Sequence, residues 1–407
     1  MPPIHPCDPL NGEEIAAAVA IVRRDGGLDP SAWFETVALA EPDKAEVRAF
    51  APGKTFARKA FVCCYEPASN RTFDGTVDLR AGTLETWRHV PGAQARIVGD
   101  EFLEAGLIAR ADPAFVAACA RRGIADTSLV LVEPWAAGNF GIAGEEGERI
   151  AYGHCWLMNA DGSNPYGRPI ANLHPVIDLR RKKVLRVDDF GVVPIPPEEP
   201  RIARTEGLRA DVKPLTITQP DGPSFTVEGH LVRWQKWHFR VGFNVREGLV
   251  LYDIAYEDKG RLRPIMYRAS LAEMVVPYGD PTGGNFRRNA FDTGEYGVGQ
   301  LYDSLSLGCD CLGAIRYFDA WRHDWHGKPV RIENAICMHE EDFGLLWKFT
   351  NFMNGQVSRA RSRRLVISGI STIGNYVYGF FWYFYQDGTI GVEVRSEEHT
   401  SELQSPY

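Results

Sequence analysis

The sequence predicts an α+β protein: two small repeated α+β domains, about 1–95 and 96–195, followed by a large antiparallel β-sandwich over 205–394. Three observations carry this. "TVDLR" ending at Arg80 returns as "VIDLR" ending at Arg180. Each copy follows a helix start and strand-like runs, so one plan occurs twice. Beyond residue 205 helical periodicity gives way to short alternating runs separated by Gly and Pro turns, the pattern of a sandwich.

Along the chain, Asn11-Gly-Glu-Glu14 starts the first helix, with Asn11 as cap and Glu14 placed to reach back. Ile15, Ala18, Val19 and Val22 share one face of it. "VALAEPDKAEVRAF" (37–50) then reads as strand. Asp112-Pro113 starts a second helix that Gly123 stops, and "SLVLVEPW" (128–135) is the next strand-like run. The Pro-rich "VVPIPPEEP" at 192–200 reads as a linker. "SFTVEGHLVRWQKWHFRVGF" and "GLVLYDIAYEDKGRLRPIMYRAS" open the sandwich. Asp387-Gly388 gives a two-residue hairpin signal between "FFWYFYQ" and "TIGVEV".

Composition narrows the function classes. A net charge of −8 argues against nucleic acid as a partner. The basic run Ser358–Arg364 reads as a solvated face or a set of ion pairs. No apolar stretch reaches transmembrane length, so no membrane partner is expected. The N-terminal "MPPIHPCDPLNGEEI" lacks the basic and apolar regions of a secretory signal. Cytoplasmic residence is therefore the expectation, with periplasmic or secreted residence left open. Eight cysteines in 407 residues make no disulfide scaffold, and the adjacent Cys63 and Cys64 read as core residues.

Four stretches carry chemistry: "RPIMYRASLAEMVVPYGDP" (263–281), "NAFDTGEYGVG" (289–299), "LGCDCLG…AICMHEED" (307–342) and "TIGNYVYGF" (372–380). By themselves they read blandly. Tyr376 is a strand tyrosine, Asp292 a turn aspartate, His323-Asp-Trp-His326 a surface turn and His339–Asp342 structural. Their joint order and spacing resemble the copper-containing primary amine oxidases, from near residue 8 to Val394. "SNPYGRPIANLHPVIDL" and "GPSFTVEGHLVRWQKWHFRVGFNVREGLVL" match as well.

The resemblance implies a homodimeric enzyme that oxidises primary amines with dioxygen, giving aldehyde, ammonia and hydrogen peroxide. Its cofactors would be copper and topaquinone. Tyr376, preceded by Asn375, would be the topaquinone precursor, Asp292 the general base, and Tyr278 the hydroxyl that holds the quinone oxygen. Cys311 and Cys337 match a family disulfide; the residues alone allow free core thiols. Two departures stand out. Val377 occupies the place of a family Asp or Glu beside the precursor, and Ala290 stands where some relatives carry a bulky gate. The first allows a rival reading, a non-catalytic scaffold relic acting in binding or assembly; the second predicts an open channel.

"RSEEHTSELQS", Arg395 to Ser405, breaks from strand pattern into polar text and resembles translated sequencing adapter. Residues 395–407 are therefore read as a non-native tail, and the sandwich as truncated. The resemblance puts the copper ligands, a His-x-His pair and a third histidine, downstream of Tyr376. No two of the ten histidines have that spacing. The expectation is no metal site in this chain and an inactive fragment of an active parent.

Overall fold

The computed structural model describes residues 3–163, 165–198, 211, 213–308 and 310–398. Helix α1 (Gly12–Asp25) is capped by Asn11, whose Oδ1 accepts from the Glu14 amide at 3.0 Å. Glu14 returns the bond to the Asn11 amide, completing the capping box. The buried face of α1 holds Ile15, Ala18, Val19 and Val22. It packs on a four-stranded antiparallel meander, β1 (Trp33–Leu39), β2 (Lys59–Glu66), β3 (Arg71–Asp78) and β4 (Thr83–His89). The run 37–50 is only half strand. β1 stops at Leu39, and after Pro42 the chain turns into a short helix, α2 (Lys44–Ala49). Pro cannot donate to a ladder, and Lys-Ala-Glu-Val-Arg-Ala favours helix once pairing has ended.

A second meander repeats the plan: β5 (Val130–Ala136), β6 (Ile150–Leu157), β7 (Leu173–Asp178) and β8 (Lys183–Asp189). It is covered by α3 (Gly99–Ala111) and α4 (Pro113–Arg121). The sequence echo has a structural cause. Both copies end the third strand of their meander, and Asp78 and Asp178 each accept turn amides through Oδ1, at 2.8–2.9 Å. Asp112 caps α4 as expected, whereas α3 is an addition to the sequence reading. The first five residues of the linker stretch and its continuation to Glu198 are irregular, and 199–210 lie outside the described residues.

Glu101 and Arg149 lock the second unit to the segment that enters it. Their side chains are 2% and 3% exposed and form a bidentate pair at 2.5 Å. Arg149 also donates to the carbonyls of Ala95 and Arg96, and its guanidinium lies 4.1 Å from the Tyr65 ring of the first meander. Arg149→Ala leaves Glu101 as a buried unpaired charge, so it is expected to cost about 3–5 kcal/mol of stability. The double change with Glu101→Leu should recover much of that loss in denaturant unfolding; equal stability of the single variant and the parent would contradict the assignment.

The remaining strands make the sandwich. One sheet has the order β13-β12-β11-β10-β9, from β9 (Phe225–Glu228), β10 (Leu231–Trp234), β11 (Trp237–Asn244), β12 (Gly248–Asp258) and β13 (Arg261–Ser270). The other is β16 (Arg316–His323), β17 (Pro329–Thr350), β18 (Val357–Ile373), β19 (Tyr376–Tyr385) and β20 (Ile390–Glu398), paired in chain order. Between them, β14 (Val275–Pro277) and β15 (Asn289–Phe291) form a small ladder of their own. The aromatic strand is core: Phe384 stacks on Phe239 at 4.5 Å, and Trp237 donates to the Tyr385 carbonyl.

Two expectations change in detail, and the basic run resolves to one of its two readings. Asp387-Gly388 does sit in a hairpin, but the connection spans four residues, 386–389, closed by the Tyr385 amide on the Thr389 carbonyl. The basic run is paired: Arg361, Arg363 and Arg364 on β18 face Asp342, Glu340 and Glu341 on β17. Residues 395–398, read as tail, continue β20 and pair with β19, Gly379 opposite Arg395 and Tyr378 opposite Ser396; 399–407 lie outside the described residues. Among the described residues no helix is long and apolar enough to cross a membrane.

Candidate active site

The hairpin between β18 and β19 places the first candidate. Its turn is Gly374-Asn375, and Tyr376 is the first residue of β19, paired with Ile373. Gly374 has φ 59°, the left-handed conformation a primed hairpin turn needs. A Cβ there would also come within 3.3 Å of Glu133 Oε1, so glycine answers both demands. Strand alternation then sends Tyr376 and Tyr378 to one face, rings stacked at 6.1 Å, and Val377 to the other.

Asp292 follows β15, at the start of the turn that leads to Glu295. Its amide donates to the Met274 carbonyl, while the next two amides donate to Glu273 Oε1. This tightly tied turn carries the Asp292 side chain inward, where Tyr378 donates its hydroxyl to Oδ2 at 2.9 Å. Tyr278 follows β14 across the same small ladder. Its amide bonds the Arg288 carbonyl, and the Arg288 guanidinium sits 4.4 Å from its ring centroid.

These pieces enclose one cavity of about 370 Å³. Tyr376, Asn375, Tyr278, Asp292, Tyr378 and Ala290 all contribute to its wall, and Glu133, Trp135 and Tyr166 of the second meander close it. A larger cavity of about 750 Å³ lies beside it between the two meanders and the Phe291–Glu295 turn, but Asp292 and Tyr376 do not line it. The smaller space gathers the predicted residues Asp292, Tyr376, Asn375 and Tyr278. Val377 is not in its wall, so the departure that suggested lost catalysis falls outside the cavity. Ala290, with only a methyl group there, leaves the space open.

Two carboxyl groups, Asp292 and Glu133, line the cavity. Burial pushes the Asp292 carboxyl above its usual range; the Tyr378 hydroxyl bond opposes this and Glu273 adds to it. Glu133 is raised in the same way by burial, against hydrogen bonds from Trp135 and Tyr166. In the larger cavity next to it, burial takes Glu295 to about 7. Two shifted carboxyls, Asp292 and Glu133, in the wall of one cavity make it a candidate place for handling protons.

Tyr378, Glu133, Trp135 and Tyr166 were not read as site residues from the sequence. Glu133 alone left a signal, a carboxylate inside the apolar run "VLVEPW". Among the described residues two histidines meet, His154 and His174 with ring centroids 5.1 Å apart, but no three gather as a metal-holding group. His323 is buried, accepts the Val37 amide on Nε2 and bonds the Asp324 carbonyl through Nδ1, so it is a neutral structural ring. His326 is exposed. Cys311 and Cys337 are joined in a disulfide, buried beside Leu305. Among the described residues, the group of side chains able to hold a metal is Cys311, Cys337 and His339. That set is not three imidazoles, so copper does not fit the described residues.

Three family models cover most of the chain: "Copper amine oxidase, enzyme domain" at residues 226–400, "Copper amine oxidase, N3 domain" at 100–205 and "AGAO-like N2 domain" at 12–86. A primary amine oxidase of Arthrobacter sp. (strain P1) is 45% identical over 395 residues, covering 96% of this chain and 60% of that protein. A histamine oxidase of Arthrobacter globiformis is 41% identical over 400 residues, covering 96% and 58%. The crystal structure of a copper-containing benzylamine oxidase from Hansenula polymorpha superposes with TM-score 0.84 at 31% identity, over 97% of this chain and 64% of that one. The chain thus spans about 60% of the length of the curated relatives it matches.

Proposed function

The chain belongs to the copper amine oxidase family, and from that premise we propose that the whole protein oxidises primary amines: RCH2NH2 + O2 + H2O gives RCHO + NH3 + H2O2. The observation that carries this reading is the meeting of Asp292 with Tyr378, 86 residues away, in one cavity with Tyr376 and Tyr278.

Topaquinone, formed at Tyr376, would supply an electrophilic carbonyl for the amine and a sink for two electrons. The chain's own residues do the rest. Tyr376 and Tyr278 share the cavity wall, which suits Tyr278 to hold an oxygen on the modified ring, and Arg288 fixes the Tyr278 ring from its face. Asp292 takes the proton from the carbon next to the substrate nitrogen. Tyr378 donates to its Oδ2, which leaves Oδ1 as the acceptor and orients the group. Trp135 and Tyr166 exclude water from the proton transfer. No step is derived through copper. Its ligands would come from the whole protein, and chain 1–407 by itself is proposed to be inactive.

A second copy of the chain is the proposed partner. The β17–β18 hairpin runs out beyond the sheet, and its far end exposes Phe343, Leu345, Leu346, Trp347 and Phe349, with Phe352 93% and Met353 81% exposed. Such an apolar arm on an isolated subunit calls for a cover. The test takes the whole protein, expressed with copper and aerated. It is expected to release one peroxide and one ammonia per primary amine consumed, and to run at twice its chain mass. Peroxide without aldehyde, or none with any primary amine, would sink the reading.

A further inference from the structure

We infer that reduction of the Cys311–Cys337 disulfide opens a Zn2+ site built from the two thiolates and the His339 imidazole. The three ligating atoms already lie within 4.8 Å of one another. Cys337 Sγ is 3.4 Å from His339 Nδ1. A tetrahedral zinc with Zn–S of about 2.3 Å and Zn–N of about 2.0–2.1 Å spans S and N by roughly 3.5 Å, so this pair needs almost no movement. Only the two sulfurs must part, to about 3.8 Å in the same geometry.

The outer groups suit a metal too. His339 Nε2 faces Glu341 Oε1 at 3.3 Å, and Glu341 is held by Arg364 at 2.7 Å. With the proton on Nε2 directed to that carboxylate, Nδ1 presents its lone pair toward the sulfurs, the usual support of a zinc-bound histidine. Cys337 and His339 are alternate residues of β17 and lie on one face of it. Cys311 is itself buried against Leu305, but it belongs to the short segment before β16 and not to the sheet, and Leu307 and Leu312 around it are exposed. His339, 12% exposed, leaves a path for a water as fourth ligand.

The chemistry balances. A phosphine and one water convert the disulfide to two thiols and a phosphine oxide; Zn2+ then displaces two protons from the thiols.

The test titrates chain 1–407 with Zn2+ against a fluorescent chelator, before and after treatment with a water-soluble phosphine. The reduced chain is expected to bind one equivalent more than the oxidised one. Co2+ in place of zinc should give a sulfur-to-cobalt charge-transfer band and tetrahedral d–d absorption. His339→Ala and Cys311→Ser should remove the extra equivalent, and Glu341→Gln should weaken it by about 10–100-fold while leaving the circular dichroism unchanged. No extra equivalent after reduction, or one that survives both His339→Ala and Cys311→Ser, overturns the inference.

Discussion

Tyr376→Phe in the whole protein, loaded with copper and aerated, is expected to show no quinone absorbance, no adduct with phenylhydrazine and no amine turnover. The loss should be complete, because a phenyl ring lacks the oxygen from which a quinone starts. The fold should survive: Tyr376 is only partly buried at the mouth of a hairpin, and Phe keeps its ring contact with Tyr378. Copper content is therefore expected to match the parent, which separates lost chemistry from lost structure. Tyr378 makes the assignment testable from the other side. Its ring lies 6.1 Å away on the same face, but its hydroxyl is committed to Asp292. Peptide mapping should find the phenylhydrazine adduct of the parent on Tyr376, and an adduct on Tyr378 would reverse the two roles.

Asp292→Asn should leave quinone formation intact and slow amine oxidation by about 10²–10⁴, the usual worth of a positioned general base. Asn still accepts the Tyr378 hydroxyl, so the cavity keeps its shape. The pH behaviour follows from the sign of the shift. Burial raises the Asp292 carboxyl, and the base works only when ionised, so the acid limb of kcat/KM lies above the ordinary aspartate range. Tyr378→Phe removes the bond that favours the ionised form and should move that limb higher still.

Stability carries the opposite sign. A carboxyl raised on folding contributes stability below its unfolded pKa, and that contribution is lost as pH rises through the folded value. Asn does not titrate. The variant should therefore melt with the parent in acid and above it at neutral pH, the mark of a group kept for chemistry at the expense of the fold. Unchanged turnover, or a variant less stable than the parent at neutral pH, would remove Asp292 from the role of buried base.

Much of this was legible in the residues. The capping box at Asn11 and Glu14, the Asp112 cap and the repeated V/I-D-L-R strand ends are local, since each is satisfied within a few residues of itself. The Asn375-Tyr376 motif and the Asp292 turn were visible as a family pattern rather than as a geometry. α2 was hidden because 37–50 was read as one strand across the Glu41-Pro42-Asp43 break, although "KAEVRA" behind that break has helical propensity. The end of β20 was missed because "RSEE" reads as a solvated tail, and only backbone pairing to β19 makes it strand.

The sequence by itself determined the class, the repeated meanders, the aromatic core strand and the candidate pair Asp292 and Tyr376. Tertiary structure alone decided that Tyr378 orients Asp292, that Glu133 and Trp135 of another unit close the cavity, and that Val377 stays outside it. The physical reason is distance along the chain. Caps, turns and alternation are short-range and written in neighbouring residues, whereas a cavity forms where segments far apart pack, and burial then sets the charge of what lines it.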